Sequence, residues 1–194
     1  MKDVRYAEKK ISLWKNKKFL TILMGLFIIS IMVFSVLYYG LDTSGQAKVE
    51  YKGLEFIQTN QGWQTYTEEE KKILLLSDPR DLENVSSFGV SLDFLSAVGM
   101  LYLSFNPEED VSGALYDFQV NVEYSGGLVA ACYEESEACA DVPIKTCADA
   151  GLGTGVILFK EANASSVVLE GNCLTIEGEN LLLLTDRLIL DQYV

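Results

Sequence analysis

Residues 19–39 read FLTILMGLFIISIMVFSVLYY, and this stretch decides how the chain is organised. Its 21 residues include no charge and are apolar on all sides of a helix, with none of the polar stripe typical of a surface helix. At the rise of an α-helix they extend about 31 Å, close to the roughly 30 Å hydrocarbon core of a bilayer. The stretch therefore predicts a transmembrane helix that contacts lipid through residues 19–39.

A buried core helix and a cleaved signal peptide are the two alternatives for this stretch. Core helices are usually shorter and carry a polar stripe. A signal peptide has an apolar core of about 7–15 residues and ends at small residues, whereas this run is longer and ends in the bulky sequence VLYY. Trp14, Tyr38 and Tyr39 are placed as an interfacial aromatic belt would be. We expect an uncleaved anchor.

The two sides of the anchor differ in charge. Residues 1–18 contain seven basic and two acidic residues, a net charge of +5, and basic flanks stay in the cytoplasm. Residues 41–194 contain eight basic and 26 acidic residues, a net charge of −18. We therefore expect a cytoplasmic tail at 1–18, a linker at 40–48, and an exported domain at 49–194 in an extracellular or periplasm-like space.

The acidity of the exported domain limits its partners. Nucleic-acid binding requires clustered Lys and Arg, so this class of partner is excluded. A soluble exported domain needs a net charge, which explains the acidity without a specific partner. The basic tail would also bind anionic lipid head groups, although topology alone accounts for its charge.

All four cysteines, Cys132, Cys139, Cys147 and Cys173, lie in the exported domain. An even number confined to that part predicts two disulfides formed in an oxidising compartment. A zinc site would need closer pairs and usually histidine, and the chain contains no histidine, so no metal ligand is assigned. Three pairings are open. We prefer Cys132–Cys139, which closes a charged loop, and Cys147–Cys173, which ties an extended segment to a strand.

The lack of histidine also removes Ser-His-Asp and Cys-His sites and histidine general bases. The sequence has no P-loop, no G-x-G-x-x-G and no G-x-S-x-G motif. We therefore assign no catalytic residue, no cofactor and no cofactor-binding residue. Pairs of carboxylates remain available for glycosidase chemistry. Two N-x-S sequons make Asn84 and Asn163 candidate glycosylation sites.

Short apolar runs separated by turn residues predict the exported domain to be α+β, with one mixed β-sheet covered by a few helices. A helix is expected at 181–191 with Asn180 as its N-cap, and a short helix at 92–98. Residues 111–124 fit a helix face and a strand equally well. Residues 151–155 are glycine-rich and predict a flexible turn. Strands are expected at 51–58, 63–67, 72–77, 99–105, 128–133, 156–160, 166–169 and 174–177.

Several segments resemble a group of uncharacterised archaeal single-pass proteins. They are PIKTCADA at 143–150, VILFK at 156–160, GNCLTIEG at 171–178 and TDR at 185–187. Those proteins also join one N-terminal anchor to an outer domain that begins with Tyr-x-Gly-x-x-Phe, matched here by YKGLEF at 51–56. The resemblance implies an archaeal cell surface and a Cys147–Cys173 bridge, and it implies no activity.

These observations favour a membrane-anchored cell-envelope protein whose exported domain is a non-enzymatic binding or structural module. Its partner would be another envelope protein or a surface polymer. One alternative is an anchored hydrolase that acts on surface glycans with a carboxylate pair. A second alternative is a ligand sensor or transport accessory subunit.

Overall fold

The computed structural model describes residues 17–42 and 47–193, with the side chains of Lys18 and of residues 38–42 excepted. Helix α1 spans Lys17–Asp42, and its segment Phe19–Leu37 is long and apolar enough to cross a membrane. None of that segment is buried against other described residues of the protein. Exposed apolar surface of this size is expected where the side chains face an apolar environment. The helix continues into the predicted linker as far as Asp42. The predicted tail falls on residues that lie outside this description, except for its last two.

Residues 47–193 form a second compact unit that starts with an antiparallel meander. Its strands are β1 (Lys48–Tyr51), β2 (Leu54–Thr59), β3 (Gly62–Tyr66) and β4 (Lys72–Leu75), paired in chain order. The sequence predicts a single mixed sheet, so this all-antiparallel sheet is an addition to the expected fold. Its core-facing side chains include Phe56, Trp63, Ile73 and Leu75.

The predicted strand at 51–58 is wrong in one respect, because a turn interrupts it. Lys52 and Gly53 both have positive φ, +49° and +84°, as in a type I′ hairpin turn. β1 therefore ends at Tyr51 and pairs antiparallel with β2, with Tyr51 opposite Leu54. β1 also begins at Lys48, inside the predicted linker.

The second sheet has five strands and is mixed, as predicted. Its strands are β5 (Met100–Ser104), β6 (Gly127–Ala131), β7 (Thr154–Glu161), β8 (Ser166–Glu170) and β9 (Cys173–Gly178). They lie in the order β6-β5-β7-β9-β8. The first four strands of that order are parallel to one another, and β8 runs antiparallel to β9.

Two helices cover one face of this sheet. α2 (Ser112–Asn121) resolves the ambiguous stretch as helix, because Ala114 and Phe118, four residues apart, are both buried in the core. The Phe118 ring meets the Phe159 ring of β7 edge to face, with centroids 6.1 Å apart. α3 (Leu181–Asp191) packs against α2, and Asn180 caps it by accepting the Leu183 N–H at 3.0 Å, as predicted.

Two short 3-10 helices lie between β4 and β5. Pro79–Asn84 forms one in the segment after β4, with Asp78 as its N-cap. Asp93–Ser96 forms the other within the predicted helix at 92–98, which is therefore shorter and tighter than expected.

The opposite face of the five-stranded sheet is covered by residues 132–153, which we call the covering loop. The loop joins β6 to β7 and contains little regular structure. Ser104 of β5 donates a hydrogen bond to the Lys145 carbonyl, and the Lys145 ammonium lies 5.3 Å from the centre of the Tyr102 ring. Beneath the loop, Val156 and Cys173 are buried on the sheet.

Candidate functional site

The topology of the five-stranded sheet marks one place as the first candidate for a site. The chain leaves β5 through α2 to reach β6 on one side, then returns through the covering loop to β7 on the other side. In open α/β sheets, ligands bind outside the carboxyl ends of the strands where the strand order reverses in this way. In this chain that switch point lies between the ends of β5 and β7.

Acidic residues surround the switch point, because each parallel strand is followed by carboxylates. We call this set the acidic rim; it comprises Glu108, Glu109, Asp110, Glu134, Glu161 and Glu179. The rim adjoins the N-termini of α2 and α3, which follow β5 and β9 directly, and negative charge is favourable at such helix ends. The acidic rim therefore has a structural explanation in addition to any functional one.

The carboxylates at the centre of the acidic rim are bonded to the loops themselves. Glu109 accepts the Glu161 N–H at 3.0 Å, and Glu161 accepts the Asp110 N–H at 2.9 Å. The second oxygen of Glu109 accepts the hydroxyl hydrogen of Tyr133. This reciprocal bonding fills the switch point between β5 and β7 with main-chain hydrogen bonds.

Tyr133 is held as a hydrogen-bond donor by this arrangement. Burial and the adjacent Glu109 carboxylate raise the pKa of Tyr133 above its ordinary value. A phenol with a raised pKa stays protonated at neutral pH, so it is poorly suited to act as a base or nucleophile. Nearby, Asn106 donates to Glu134 at 3.1 Å and accepts the Glu108 N–H, which closes the turn after β5.

Two clefts open beside the acidic rim. One, of about 350 Å³, is lined by Glu161, Ala162, Asn163 and Glu179. The other, of about 320 Å³, lies at the start of α2 and α3 and shares Glu179 with the first. The first cleft is the place where two glutamates line one opening, and it is the candidate active site for the hydrolase alternative.

A different pair of carboxyl groups lies inside the protein. Asp117 of α2 and Asp186 of α3 are close enough to interact electrostatically, and neither has any exposed surface. Burial and the adjacent Asp186 raise the pKa of Asp117 to about 9, and burial raises that of Asp186 as well. One oxygen of each group has no hydrogen-bond partner among the described residues, which leaves room for a proton shared between the two groups.

The second carboxylate oxygen of Asp117 and that of Asp186 show that the buried pair has a structural role. Asp117 accepts the Leu76 N–H at 3.3 Å, and Asp186 accepts the Ser77 N–H at 2.8 Å. One turn along α2, Asn121 bonds both the N–H and the C=O of Leu74, at 2.8 and 2.6 Å. Side chains of the two helices thus take the place of a fifth strand along the outer edge of β4.

α3 continues this pattern beyond Ser77. Asp191 accepts the Phe88 N–H at 3.3 Å, while Gln192 accepts the Leu92 N–H and donates to the Val90 carbonyl. Arg187 is buried, pairs with Asp191 at 2.9 Å and donates to the Tyr51 hydroxyl. These buried polar groups fix the irregular segment 76–92 and tie the meander to α3.

The sequence alone indicated no role for Asp117, Asp186 or Arg187. The available signal was an Asp-Arg dipeptide inside the apolar run LLLLTDRLIL, where charged residues are tolerated only when they are paired. The partners come from β1, β4 and α2, and no local pattern indicates them.

The cysteines lie in or beneath the covering loop rather than at the acidic rim. The structure joins Cys132 to Cys139 and Cys147 to Cys173, with Cα atoms 6.1 and 5.2 Å apart, and this is the pairing preferred from the sequence. The first bridge closes the short charged loop that follows β6. The second fastens the covering loop to β9.

The sequon asparagines are both accessible. Asn84 ends the 3-10 helix after β4 and is exposed, and Asn163 is exposed in the loop between β7 and β8. Their glycosylation stays a prediction. Within residues 17–42 and 47–193, no group of three or more His, Cys, Asp or Glu side chains is placed to hold a metal ion.

Comparison with other proteins adds no homologue. The chain matches no protein-family model, no curated protein and no solved structure.

Proposed function

We propose that this chain is a membrane-anchored envelope protein whose exported domain works by contact with another macromolecule. The basic flank before α1, the apolar segment of α1 and the two disulfides after it support an N-terminus in the cytoplasm and a domain outside. The bilayer is then one partner, through residues 19–39. An archaeal cell surface, implied by the resemblance, stays part of the proposal.

The observation that carries the proposal is the filled switch point. An α/β enzyme would have an open crevice at this position. Here the carboxylates of Glu109 and Glu161 accept backbone hydrogen bonds from each other's loops instead. The carboxyl pair is buried against the backbone N–H groups of Leu76 and Ser77, just after β4, and has no surface on which a substrate would bind. The acidic groups that are most perturbed therefore serve the fold.

Charge indicates the kind of partner. Residues 81–144 contain twelve acidic residues and no Lys or Arg, and they include most of the acidic rim. A surface of this sign attracts a basic partner and repels an acidic one, and the association rate should fall as salt is added. We therefore favour a basic envelope protein or a cationic surface polymer.

The topology is tested with full-length protein tagged at either end. Protease added to intact spheroplasts should remove a C-terminal tag and spare an N-terminal one. Removal of the N-terminal tag alone would overturn the orientation.

The hydrolase alternative keeps one supporting observation, the cleft that Glu161 and Glu179 share. Two carboxyl groups that line one opening are the minimum for glycosidase chemistry. Full-length protein in nanodiscs should show no turnover of glycan, peptide or ester substrates if the domain works by contact. If the protein hydrolyses a substrate, and a folded Glu161→Gln or Glu179→Gln variant loses that activity, the domain is an enzyme. That result would overturn the proposal that it works by contact. The sensor or transport-accessory reading stays a second alternative.

A further inference from the structure

β6 is an outer strand of the five-stranded sheet, and its backbone groups alternate between two sides. The Gly127 N–H bonds the Gly99 carbonyl at 3.0 Å, and the Ala131 carbonyl accepts the Phe105 N–H at 3.1 Å, both toward β5. Because neighbouring residues of a parallel strand point their backbone groups in opposite directions, those of Leu128 and Ala130 point away from the sheet. Among the described residues, neither has a hydrogen-bond partner on that side.

The chain makes a parallel backbone bridge on the same side one residue beyond β6. Cys132, the first residue of the covering loop, is the next residue to point outward, and it pairs in parallel with Ile144 of that loop. Its N–H bonds the Pro143 carbonyl at 3.0 Å, and its carbonyl accepts the Lys145 N–H at 2.7 Å. The edge of β6 thus has the geometry of a strand-pairing surface, and the covering loop occupies only its carboxyl end.

The edges of the meander are protected in ways that the edge of β6 is not. The outer edge of β4 is capped by Asp117 and Asn121 from α2, and β1 is short and carries two charged side chains, Lys48 and Glu50. β6 reads GLVAA and has no charge and no proline. An uncovered edge of this composition pairs readily with another strand, and proteins usually block it unless it is used.

The charge around β6 indicates which kind of segment would pair with its free edge. β6 lies inside the stretch 81–144 that has no basic residue, and the exposed Glu134 and Glu135 follow its carboxyl end. A second copy of the chain would bring the same acidic surface to the edge and be repelled. An extended segment with basic side chains would gain main-chain hydrogen bonds and charge attraction together.

We propose that β6 is a docking edge on which an extended, basic segment of a partner protein adds as a sixth strand beside Leu128 and Ala130. This inference rests on the proposed function and specifies where and how the contact is made. The main chain of the partner supplies the hydrogen bonds, and its basic residues face the acidic side chains around β6.

The test uses full-length protein in phosphatidylcholine nanodiscs and a fluorescent ten-residue peptide of alternating Lys and Val. Binding is followed by anisotropy, with empty nanodiscs as the blank. The control peptide has the same sequence and charge but carries an N-methyl group on every backbone amide, which removes the N–H groups that a strand needs on both of its edges. We expect the unmodified peptide to bind at least about tenfold more tightly, since several main-chain hydrogen bonds are lost in the control.

Two variants locate the binding on β6. Ala130→Pro removes the outward N–H and leaves the bonds to β5, because proline is tolerated at such edge positions. Ala130→Ser keeps that N–H and is the matched control. Peptide affinity should fall in the first variant and stay unchanged in the second. Hydrogen exchange should slow at Leu128 and Ala130 on peptide binding, with no change in β8 at the other edge of the sheet.

Each negative result of these experiments would overturn a different part of the proposal. Equal binding of the two peptides would show attraction by charge alone, which overturns strand addition but leaves a basic partner in place. Sedimentation that shows a dimer, reduced to monomer by Ala130→Pro, would make a second copy the occupant and overturn the basic segment. No binding of either peptide would also overturn the inference, and hydrolysis in the substrate screen would separately overturn the proposed function.

Discussion

The helix-covered face and the loop-covered face of the five-stranded sheet are closed by different means. On the first, α2 and α3 bury large apolar side chains such as Phe118 and Leu188 and add buried hydrogen bonds. On the second, the covering loop has little regular structure and is fastened to β9 by the Cys147–Cys173 bridge. The difference teaches that one sheet can be shielded by hydrophobic packing on one side and by covalent cross-links on the other. Only the second side then depends on the redox state of its surroundings.

The largest effect is expected from the helix-covered face. Phe118→Ala should lower the free energy of unfolding by about 3–5 kcal/mol, because it empties space at the Phe159 contact in a fully buried core. Urea unfolding measures the change. Tyr116→Ala on the same helix is the control, since that side chain is exposed and should cost far less. Equal losses from the two variants would contradict the packing described for α2.

Loss of either disulfide on the loop-covered face should lower the free energy of unfolding, and the bridge that closes the longer loop should have the larger effect. Replacing Cys147 and Cys173 by serine removes a closure across 26 residues and should cost about 3.6 kcal/mol by the loop-entropy relation. Replacing Cys132 and Cys139 removes a closure across seven residues and should cost about 2.5 kcal/mol. Unfolding in denaturant with and without reductant measures both changes. The reverse order would show that the short bridge does more than restrict the unfolded chain.

The buried carboxyl pair makes the helix-covered face sensitive to pH. The pKa of Asp117 is raised to about 9 in the folded protein, so folding favours its protonated form. The contribution to stability is complete below the unfolded pKa of about 3.9 and is lost as pH rises through about 9, with a slope of at most about 1.4 kcal/mol per pH unit. Asp117→Asn imitates the protonated acid and should raise the melting temperature at pH 8 while changing it little at pH 4.

The control for that measurement is a carboxylate with the opposite shift. The Thr146 N–H and the Lys145 ammonium hold the pKa of the exposed Asp149 below its usual range, so its contribution is present above the unfolded pKa and is lost as pH falls. Asp149→Asn should therefore leave the slope between pH 5 and 9 unchanged. If Asp117→Asn also leaves that slope unchanged, the two buried groups do not share a proton.

The smallest effect is expected at the start of α3. Asn180→Ala removes the side chain that accepts the Leu183 N–H and should cost about 1 kcal/mol. Asn180→Asp keeps the acceptor and should retain the stability of the original. Thermal unfolding of both variants measures the cap. A loss in the aspartate variant equal to that in alanine would mean that Asn180 acts through something other than capping.

Local patterns predicted much of this fold. The long apolar helix α1, the closing helix with its Asn180 cap and the strands of the mixed sheet follow from hydrophobic runs, turn residues and capping chemistry. The type I′ turn at Lys52 and Gly53 was missed, because polar and apolar residues alternate on both sides of it, as they would in one continuous strand. The separate antiparallel meander was missed for a different reason, since the hairpins alone do not indicate which strands pair further.

The candidate site was less predictable than the fold. The acidic rim is assembled from four strand ends that lie far apart in the chain, so only the strand order brings Glu109 to Glu161. The role of Asp117 depends in the same way on Asp186, which lies in another helix. Acidic residues are so common in this domain that sequence neighbours do not single out the members of the acidic rim.

The bonds between α3 and the segment 76–92 set an order of events during synthesis. Ser77, Phe88 and Leu92 find their acceptors 109, 103 and 100 residues later in the chain. At about 5–20 residues per second, a ribosome takes roughly 5–20 s to supply them. During that interval the segment 76–92 has unsatisfied amides. A chaperone that shields this segment on the nascent chain should therefore be needed only until α3 emerges.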